Sequence, residues 1–325
     1  MNRVVFVSEL GEGLGHVSRL LPIAKRMKSD GFECIFVVSH YEAAFREVQN
    51  AGFLVVPGPP VRMAPLKRGQ LAKSLGDIIG RAGFGEFHKL SFNLKAWDSI
   101  FHVLAPNLII MDYAPTARLA AGKKFNTAVV GSPFTIPPIN QETLPRFRPG
   151  ALLYLEKSLM ENIDRAQKEN QGWIPRKLAD LFYADKTFTT FFPQIDRYFT
   201  LREEQSIGPL FIPSFFIEKE PDKDLFFYLK RANGPKVLGL INAMRDANLT
   251  GEGYLSHVSE KLAKTLSTKK FIISAYKQDI VSALTNKKFV IHHGGVGLAQ
   301  AAMAIGIPQV ILLTHAENHM NGGAL

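Results

Sequence analysis

The chain has 325 residues, of which 46% are hydrophobic and 21% are charged, a composition typical of folded globular proteins rather than disordered or membrane-spanning ones. Lysine and arginine exceed aspartate and glutamate by 39 − 29 = 10, so the surface favours anionic partners such as a nucleotide diphosphate, anionic lipid head groups or nucleic acid. The basic residues are dispersed and show no RNA-recognition or zinc-finger spacing, which argues against nucleic acid and leaves peripheral contact with an anionic membrane open.

The chain start and the cysteine content predict a cytoplasmic protein. The first residues form a short apolar strand and lack the long apolar region of a secretory signal. No apolar run approaches the roughly 20 residues that cross a bilayer. Cys34 is the only cysteine, which excludes an internal disulfide and suits a reducing compartment.

Apolar runs of strand length alternate with amphipathic helical stretches along the whole chain, a pattern typical of parallel sheets covered by helices. The sequence therefore predicts an α/β fold. The first helix is the clearest, with apolar residues from Val17 to Met27 at helical spacing and Asp30-Gly31 as its stop. The predicted strands of the first half are Val4–Ser8, Glu33–Val38, Phe53–Val56, Asn107–Met111 and Thr127–Val130.

A glycine-rich loop joins the first predicted strand to the first helix and ends in Gly15-His16. His16 stands where a dinucleotide fingerprint requires glycine, and no Gly-Lys-Ser/Thr follows, so the loop matches neither an NAD site nor an NTPase phosphate loop. A histidine here can take a proton from a hydroxyl group near neutral pH, and the alternative is a turn histidine with only local hydrogen bonds.

The middle of the chain, residues 141–190, is helix-rich and aromatic, and a connector follows it. Ile207–Pro213 is rich in glycine and proline, and the charged run Glu218–Asp224 comes next, which is typical of an exposed link between domains. We therefore predict domains of 1–213 and 214–325. The second half predicts strands at Lys236–Ile241, Lys270–Ser274, Lys288–Ile291 and Gln309–Leu313, with helices near Glu252–Leu266, Asp279–Thr285 and Gly297–Ile305.

A second glycine-rich turn lies near the end of the chain, where a predicted strand runs into His292-His293-Gly294-Gly295 and a helix follows directly. Glycines let the backbone approach a bulky anion, and the free N–H groups at a helix start point towards it. The segment therefore predicts a diphosphate site, although glycine turns before helices also serve tight packing.

The order of motifs around this turn resembles the donor-binding signature of the UDP-glycosyltransferase superfamily, as found in bacterial macrolide and flavonoid-type glycosyltransferases. In that signature a strand ends in His-Gly-Gly, a short helix leads to Gly-x-Pro and an apolar strand, and an acidic-amide pair with a nearby asparagine follows. The matching residues are His293-Gly294-Gly295, Gly306-Ile307-Pro308, Val310–Leu313, Glu317-Asn318 and Asn321.

The resemblance implies a role for each matching residue on the donor side. His293 and the turn amides of Gly294, Gly295, Val296 and Gly297 would hold the diphosphate, Glu317, Asn318 and Asn321 would bind the sugar, and Gln278 would face the base. The nucleotide sugar would be a co-substrate, with no bound cofactor or metal. His315 and His319 flank Glu317, but the spacing does not match the His-Glu-x-x-His zinc helix.

The first loop resembles that of the same superfamily, in which Gly-His opens a helix that carries the acceptor-side base. By this resemblance His16 would be the base and Gly15 part of the binding loop. The family takes the supporting carboxylate from the end of a later strand, and Asp112 occupies that setting. A carboxylate there fixes the tautomer of the imidazole and stabilises its charged form, whereas the alternative for Asp112 is a helix N-cap.

Three departures from the family pattern concern the donor side. Leu298 stands where serine or threonine usually contacts a phosphate, Asn318 replaces a common glutamine, and Lys277 replaces a proline. Family members also continue beyond the equivalent of Leu325, so the expectation is an incomplete second domain.

The resemblance thus implies the GT-B fold, in which two Rossmann-like domains face each other across a cleft. The implied activity is inverting transfer of a hexose-type sugar from a UDP- or dTDP-sugar to a hydroxyl group of a small or lipidic acceptor. Two alternatives stay open: a non-catalytic, truncated protein that binds nucleotide sugars, and a sugar-nucleotide epimerase.

Overall fold

The computed structural model describes residues 2–11, 14–203, 205–210, 222–229, 235–256, 258–276, 278–313, 317, 320, 322 and 323. The chain divides into two compact units, Met1–Leu210 and Phe211–Leu325. The predicted domain boundary after residue 213 falls within 211–221, which lies outside the described residues.

The first unit is built on a parallel sheet of six described strands. Their order is β3-β2-β1-β4-β5-β6, the strand order of a dinucleotide-type doubly wound fold. The strands are β1 (Arg3–Ser8), β2 (Glu33–Val38), β3 (Leu54–Pro57), β4 (Leu108–Asp112), β5 (Thr127–Gly131) and β6 (Lys186–Thr189). The α-helices are α1 (Gly15–Ser29), α2 (Tyr41–Asn50), α3 (Leu75–Ile79), α4 (Phe87–Leu104), α5 (Pro115–Ala121) and α6 (Glu156–Asn170).

The core of the first unit follows from the sequence pattern of its central strands and first helix. Val4 and Phe6 alternate towards one face of β1, and they pack with residues of α1, including Val17 and Leu20. Because both faces of a parallel sheet are covered, its strands are apolar throughout. The predicted apolar face of the first helix is confirmed.

The second unit has a parallel sheet of five described strands in the order β11-β10-β7-β8-β9. They are β7 (Lys223–Leu229), β8 (Gly251–Leu255), β9 (Phe271–Ser274), β10 (Lys287–His292) and β11 (Gln309–Ile311), and the helices are α7 (Pro235–Asp246), α8 (Glu260–Leu266), α9 (Ile280–Leu284) and α10 (Val296–Ile305). Leu225 and Phe227 of β7 belong to the core on one face, whereas Phe226 packs with Leu298 and Ala302 of α10 on the other.

The opening of the second unit differs from the sequence prediction. The predicted strand Lys236–Ile241 is wrong, because these residues belong to helix α7. Val237, Ile241 and Met244 recur at helical spacing and pack into the core, a pattern that a short apolar run does not separate from a strand. The predicted helix near Glu252–Leu266 starts only at Glu260, since β8 precedes it. β7 and β6 were not predicted.

None of the helices in the described segments is both long enough and apolar enough to cross a bilayer.

Candidate active site

The first candidate site lies where the chain reverses its direction of winding across the first sheet. β1 and β4 are neighbours, with Ser8 opposite Asp112, while the chain continues from β1 to β2 on one side and from β4 to β5 on the other. Open α/β sheets bind ligands at this switch point, beyond the carboxyl ends of the strands. The loop after β1 and the last residue of β4 meet there.

His16 and Asp112, predicted as a pair, lie in direct contact. His16 is the second residue of α1 and Asp112 the last residue of β4, and the His16 Nδ1 lies 3.0 Å from the Asp112 Oδ1. Asp112 is fully buried and His16 is 9% exposed. Because an ionised carboxylate only accepts hydrogen bonds, this contact places the proton on Nδ1 and leaves the Nε2 lone pair available as a base.

Arg19 is a second partner of Asp112 that the sequence analysis did not identify. Its Nη1 donates to the Asp112 Oδ2, and its side chain is 12% exposed. Burial alone would raise the pKa of Asp112, but the positive charge of Arg19 and the interaction with His16, together with the hydrogen bonds from both side chains, outweigh burial and hold that pKa below its usual value. Asp112 is therefore a permanent anion at neutral pH. Arg19 lies three residues after His16 on the same helix, a spacing that places both on one face.

Gly11 lies against the ring nitrogen of His16 that would act as the base. Its φ is +93°, and a Cβ atom on Gly11 would lie 2.4 Å from the His16 Nε2. Only glycine fits both this left-handed backbone and the close approach. The glycine-rich loop therefore folds directly over the Nε2 edge of the imidazole, although Glu12 and Gly13 lie outside the described residues.

Glu9 takes the helix-capping role that was the alternative for Asp112. Its Oε2 accepts hydrogen bonds from the N–H groups of Thr116, at 2.8 Å, and Ala117, at 3.2 Å, at the start of α5. Glu9 is 2% exposed, and burial raises its pKa to about 7, although these hydrogen bonds act in the opposite direction. No local sequence pattern predicts this role, because Glu9 follows β1 whereas the helix that it caps, α5, follows β4.

A row of aromatic rings extends from His16 into the loop that follows β5. Ring centroids lie 5.5 Å apart for His16 and Tyr113, 5.8 Å for Tyr113 and Phe134, and 5.8 Å for Phe134 and Phe147. Tyr113 has a left-handed backbone (φ 53°) directly after Asp112. This aromatic row can form an apolar wall beside the imidazole.

The second candidate site lies at the equivalent switch point of the second sheet, where β10 runs into α10. Gly294 has a φ of +80° and Gly295 is the N-cap of α10. The first intrahelical bond runs from the N–H of Ala299 to the carbonyl of Gly295, so the amides of Val296 and Gly297 precede the helical ladder. Among the described residues, no atom lies within 4 Å of where a Cβ atom on Gly295 or Gly297 would stand, so this part of the turn is open on the described side.

Two histidines precede this turn and differ in role. His292 is fully buried, its Nε2 lies 2.9 Å from the Gln309 Oε1, and its Nδ1 accepts from the N–H of Gly294 at 3.1 Å. Burial lowers the pKa of His292 and so keeps its ring neutral. The neutral Nδ1 can then accept from the N–H of Gly294, and this hydrogen bond holds the glycine turn in place. The ring of His293 lies 5.5 Å from that of Tyr228 on β7, a residue that the sequence analysis missed together with its strand.

For the other predicted site residues, the structure gives an exposure but no contact that defines a role, or does not describe them. Gly15 is exposed at the start of α1, Gln278 is exposed after β9, and Glu317 is partly buried. Asn318, Asn321, Lys277, His315 and His319 lie outside the described residues. Leu298, at the position of the family hydroxyl, points into the core with Ala301 and Ala302. Within the described part of the chain, no three His, Cys, Asp or Glu side chains are grouped to hold a metal ion.

Solved structures share this architecture over nearly the whole chain. The calicheamicin glycosyltransferase CalG4 matches with a TM-score of 0.67 at 14% identity, covering 99% of this chain and 83% of its own. SsfS6 from Streptomyces sp. SF2575, solved with thymidine diphosphate, matches with a TM-score of 0.64 at 16% identity, covering 100% and 85%. VinC, solved with dTDP, matches with a TM-score of 0.62 at 13% identity, covering 96% and 81%.

No protein-family profile matches the sequence, and no curated protein matches it either. The structural likeness at this level of identity establishes the fold. Two parallel-sheet α/β domains, each with its switch point at the carboxyl ends of the strands, give this chain the GT-B fold of these glycosyltransferases.

Proposed function

We propose that the protein is an inverting glycosyltransferase that moves a hexose-type sugar from a UDP- or dTDP-sugar to a hydroxyl group of a small or lipidic acceptor. The observation that carries the proposal is the buried contact of 3.0 Å between the His16 Nδ1 and the Asp112 Oδ1 at the switch point of the first sheet. The thymidine diphosphate bound by SsfS6 and VinC supports a donor of the same chemistry.

On the acceptor side, His16 acts as the general base. Its Nε2 takes the proton of the acceptor hydroxyl while that oxygen forms a bond to the anomeric carbon of the sugar. The bond between the anomeric carbon and the diphosphate oxygen breaks on the opposite face, so the configuration inverts. Asp112 stabilises the imidazolium that forms, and Arg19 keeps Asp112 ionised throughout.

On the donor side, the start of α10 stabilises the negative charge that develops on the leaving diphosphate. The amides of Val296 and Gly297 precede the helical ladder, and the helix dipole adds a partial positive charge at the same point. His293 can add a further hydrogen bond or a charge. The open space in front of Gly295 and Gly297 supports this role, because a phosphate needs close access to the backbone.

Nucleotide binding tests the donor half of the proposal. Titration calorimetry with UDP and dTDP should show binding to the wild-type protein, and His293→Ala should weaken it about tenfold, as expected for one lost hydrogen bond to a charged group. His102→Ala, an exposed histidine on α4, is the matched control and should bind like the wild type. If neither nucleotide binds, the donor assignment is wrong.

Transfer assays test the catalytic half. Asp112→Asn should lower kcat by about 10²–10⁴-fold while nucleotide affinity stays unchanged, because the base loses its oriented partner. Asp98→Asn, at an exposed surface pair with Lys124, controls for the loss of a carboxylate. Nucleotide-sugar binding without transfer or donor hydrolysis would instead indicate the non-catalytic alternative, and a new nucleotide sugar formed without any acceptor would indicate an epimerase.

A further inference from the structure

Two segments of the first unit carry an unbalanced positive charge, which we call the basic face. They are residues 58–74 and 145–154, and neither contains an aspartate or a glutamate. Six of the chain's cationic side chains lie in them: Arg62, Lys67, Arg68, Lys73, Arg146 and Arg148. The two segments are about 70 residues apart in the chain, so their charges form one surface only if the fold brings the segments together.

The fold joins these segments through one buried carboxylate. Asp77 is fully buried, and its Oδ2 accepts from the N–H of Lys73 at 2.7 Å, while its Oδ1 accepts from Leu153 at 2.7 Å and Tyr154 at 3.1 Å. The main chains also meet directly, since the N–H of Phe147 donates to the carbonyl of Lys73 at 3.0 Å. The basic face is thus a single, preformed surface.

Four of the six cations of the basic face, Arg62, Lys67, Arg68 and Arg146, are exposed and available to an external anion, while Lys73 and Arg148 are half-buried. Within the described part of the chain, none of the six forms an ion pair with a carboxylate. Lys67 and Arg68 are exposed at the tip of a turn, and the apolar side chains of Met63 (38% exposed) and Leu71 (48%) lie on either side of them in the chain. Cations interleaved with exposed apolar side chains are typical of surfaces that sit at a lipid interface.

The basic face lies at the same edge of the first sheet as His16. Residues 58–74 follow β3, and the loop that leads to residues 145–154 follows β5, so both leave the carboxyl edge of the sheet. The aromatic row from His16 ends at Phe147, which is buried between Arg146 and Arg148 in the chain. A surface bound at the basic face would therefore be adjacent to the path towards the imidazole.

We propose that the basic face docks the protein onto an anionic lipid bilayer. Its lysine and arginine side chains contact lipid phosphates, and Met63 and Leu71 enter the interface between head groups and acyl chains. Single-stranded RNA is the less suitable partner, because it requires exposed aromatic rings for stacking, whereas Phe147 is buried and Tyr154 is half-buried. The proposal does not depend on glycosyl transfer.

Vesicle sedimentation with the full chain, without any nucleotide sugar, tests this docking. The protein should bind phosphatidylcholine vesicles that contain phosphatidylglycerol, more weakly at high salt, and should not bind phosphatidylcholine alone. Each neutralised cation at the surface weakens partition about fivefold, so Lys67→Gln with Arg68→Gln should lower it about 25-fold. The matched control is Lys25→Gln with Lys123→Gln, two exposed lysines outside the basic face with the same change in net charge.

A charge-preserving pair, Lys67→Arg with Arg68→Lys, should retain binding, which separates loss of charge from loss of folding. An equal loss in the basic-face and control pairs would overturn the proposal, because binding would then reflect net charge alone. Absence of binding to anionic vesicles would also overturn it, as would tighter binding to single-stranded RNA that depends on the same two residues.

Discussion

Glu9 is a buried carboxyl group whose charge opposes folding at neutral pH. It lies directly after β1, and burial raises its pKa from the ordinary value of 4.5 to about 7. In the unfolded chain Glu9 releases its proton near pH 4.5, whereas in the folded chain it keeps the proton up to about pH 7. Between these values the folded state binds one more proton than the unfolded state, so the free energy of unfolding falls as pH rises.

The size of this effect follows from the two pKa values. Their difference is 7 − 4.5 = 2.5 units, and one unit corresponds to about 1.4 kcal/mol, so ionisation of Glu9 costs about 3 kcal/mol once the pH exceeds 7. Glu9→Gln removes the ionisation but keeps an oxygen that can accept from Thr116 and Ala117. The stability of the variant relative to the wild type should therefore rise by about 3 kcal/mol between roughly pH 4 and pH 8.

Urea unfolding followed by tryptophan fluorescence measures this difference within the first unit. The chain has two tryptophans, Trp97 and Trp173, and both belong to that unit. Glu142→Gln, at an exposed position, is the control and should run parallel to the wild type at every pH. If the Glu9→Gln curve also runs parallel to the wild type, then Glu9 is already ionised in the folded protein and the reasoning from burial is refuted.

Two further predictions concern the turns that shape the candidate sites. Gly11→Ala should lower both stability and transfer activity, because the new methyl group displaces His16. The control Gly31→Ala has a similar φ of +88° and open space around it, so it should cost only backbone strain of about 1–2 kcal/mol and leave transfer activity unchanged. Thermal unfolding and transfer rates measure the two effects, and equal losses of activity in both variants would contradict the contact between Gly11 and His16. His292→Asn should keep nucleotide affinity, because its amide oxygen can accept from the N–H of Gly294 as Nδ1 does. His292→Gln should lower nucleotide affinity about tenfold, as measured by calorimetry. If instead His292→Gln keeps the affinity and His292→Asn loses it, the important contact is the one with Gln309 of β11.

The first sheet was predictable because its strands and first helix have ordinary lengths and clear periodicity. Predicted strand Glu33–Val38 matches the structure at both ends, and the other four predicted strands differ by one residue at one or both ends, whereas the edge strand β6 was not predicted. The start of the second unit was not predictable in the same way. Residues 236–241 form an apolar run too short to show its period, and β7 begins inside a charged run that resembles a connector.

Only those residues of the candidate site that belong to a local motif or to the family resemblance were predicted from the sequence. The contact between His16 and Asp112 matches the expected pairing, although their catalytic roles stay a prediction. Arg19 could have been found from its spacing of three residues after His16 on one helix. Glu9 could not, because its high pKa results from burial beside a helix that begins more than 100 residues later.

The carboxylate of Asp77 has a consequence for protein engineering. It holds two loops in register from beneath, so the outward geometry of both depends on a side chain that solvent never reaches. Grafting either loop into another scaffold without this acid would transfer the charges but lose their arrangement. A transplant that keeps Asp77 together with both loops should preserve the surface as one unit.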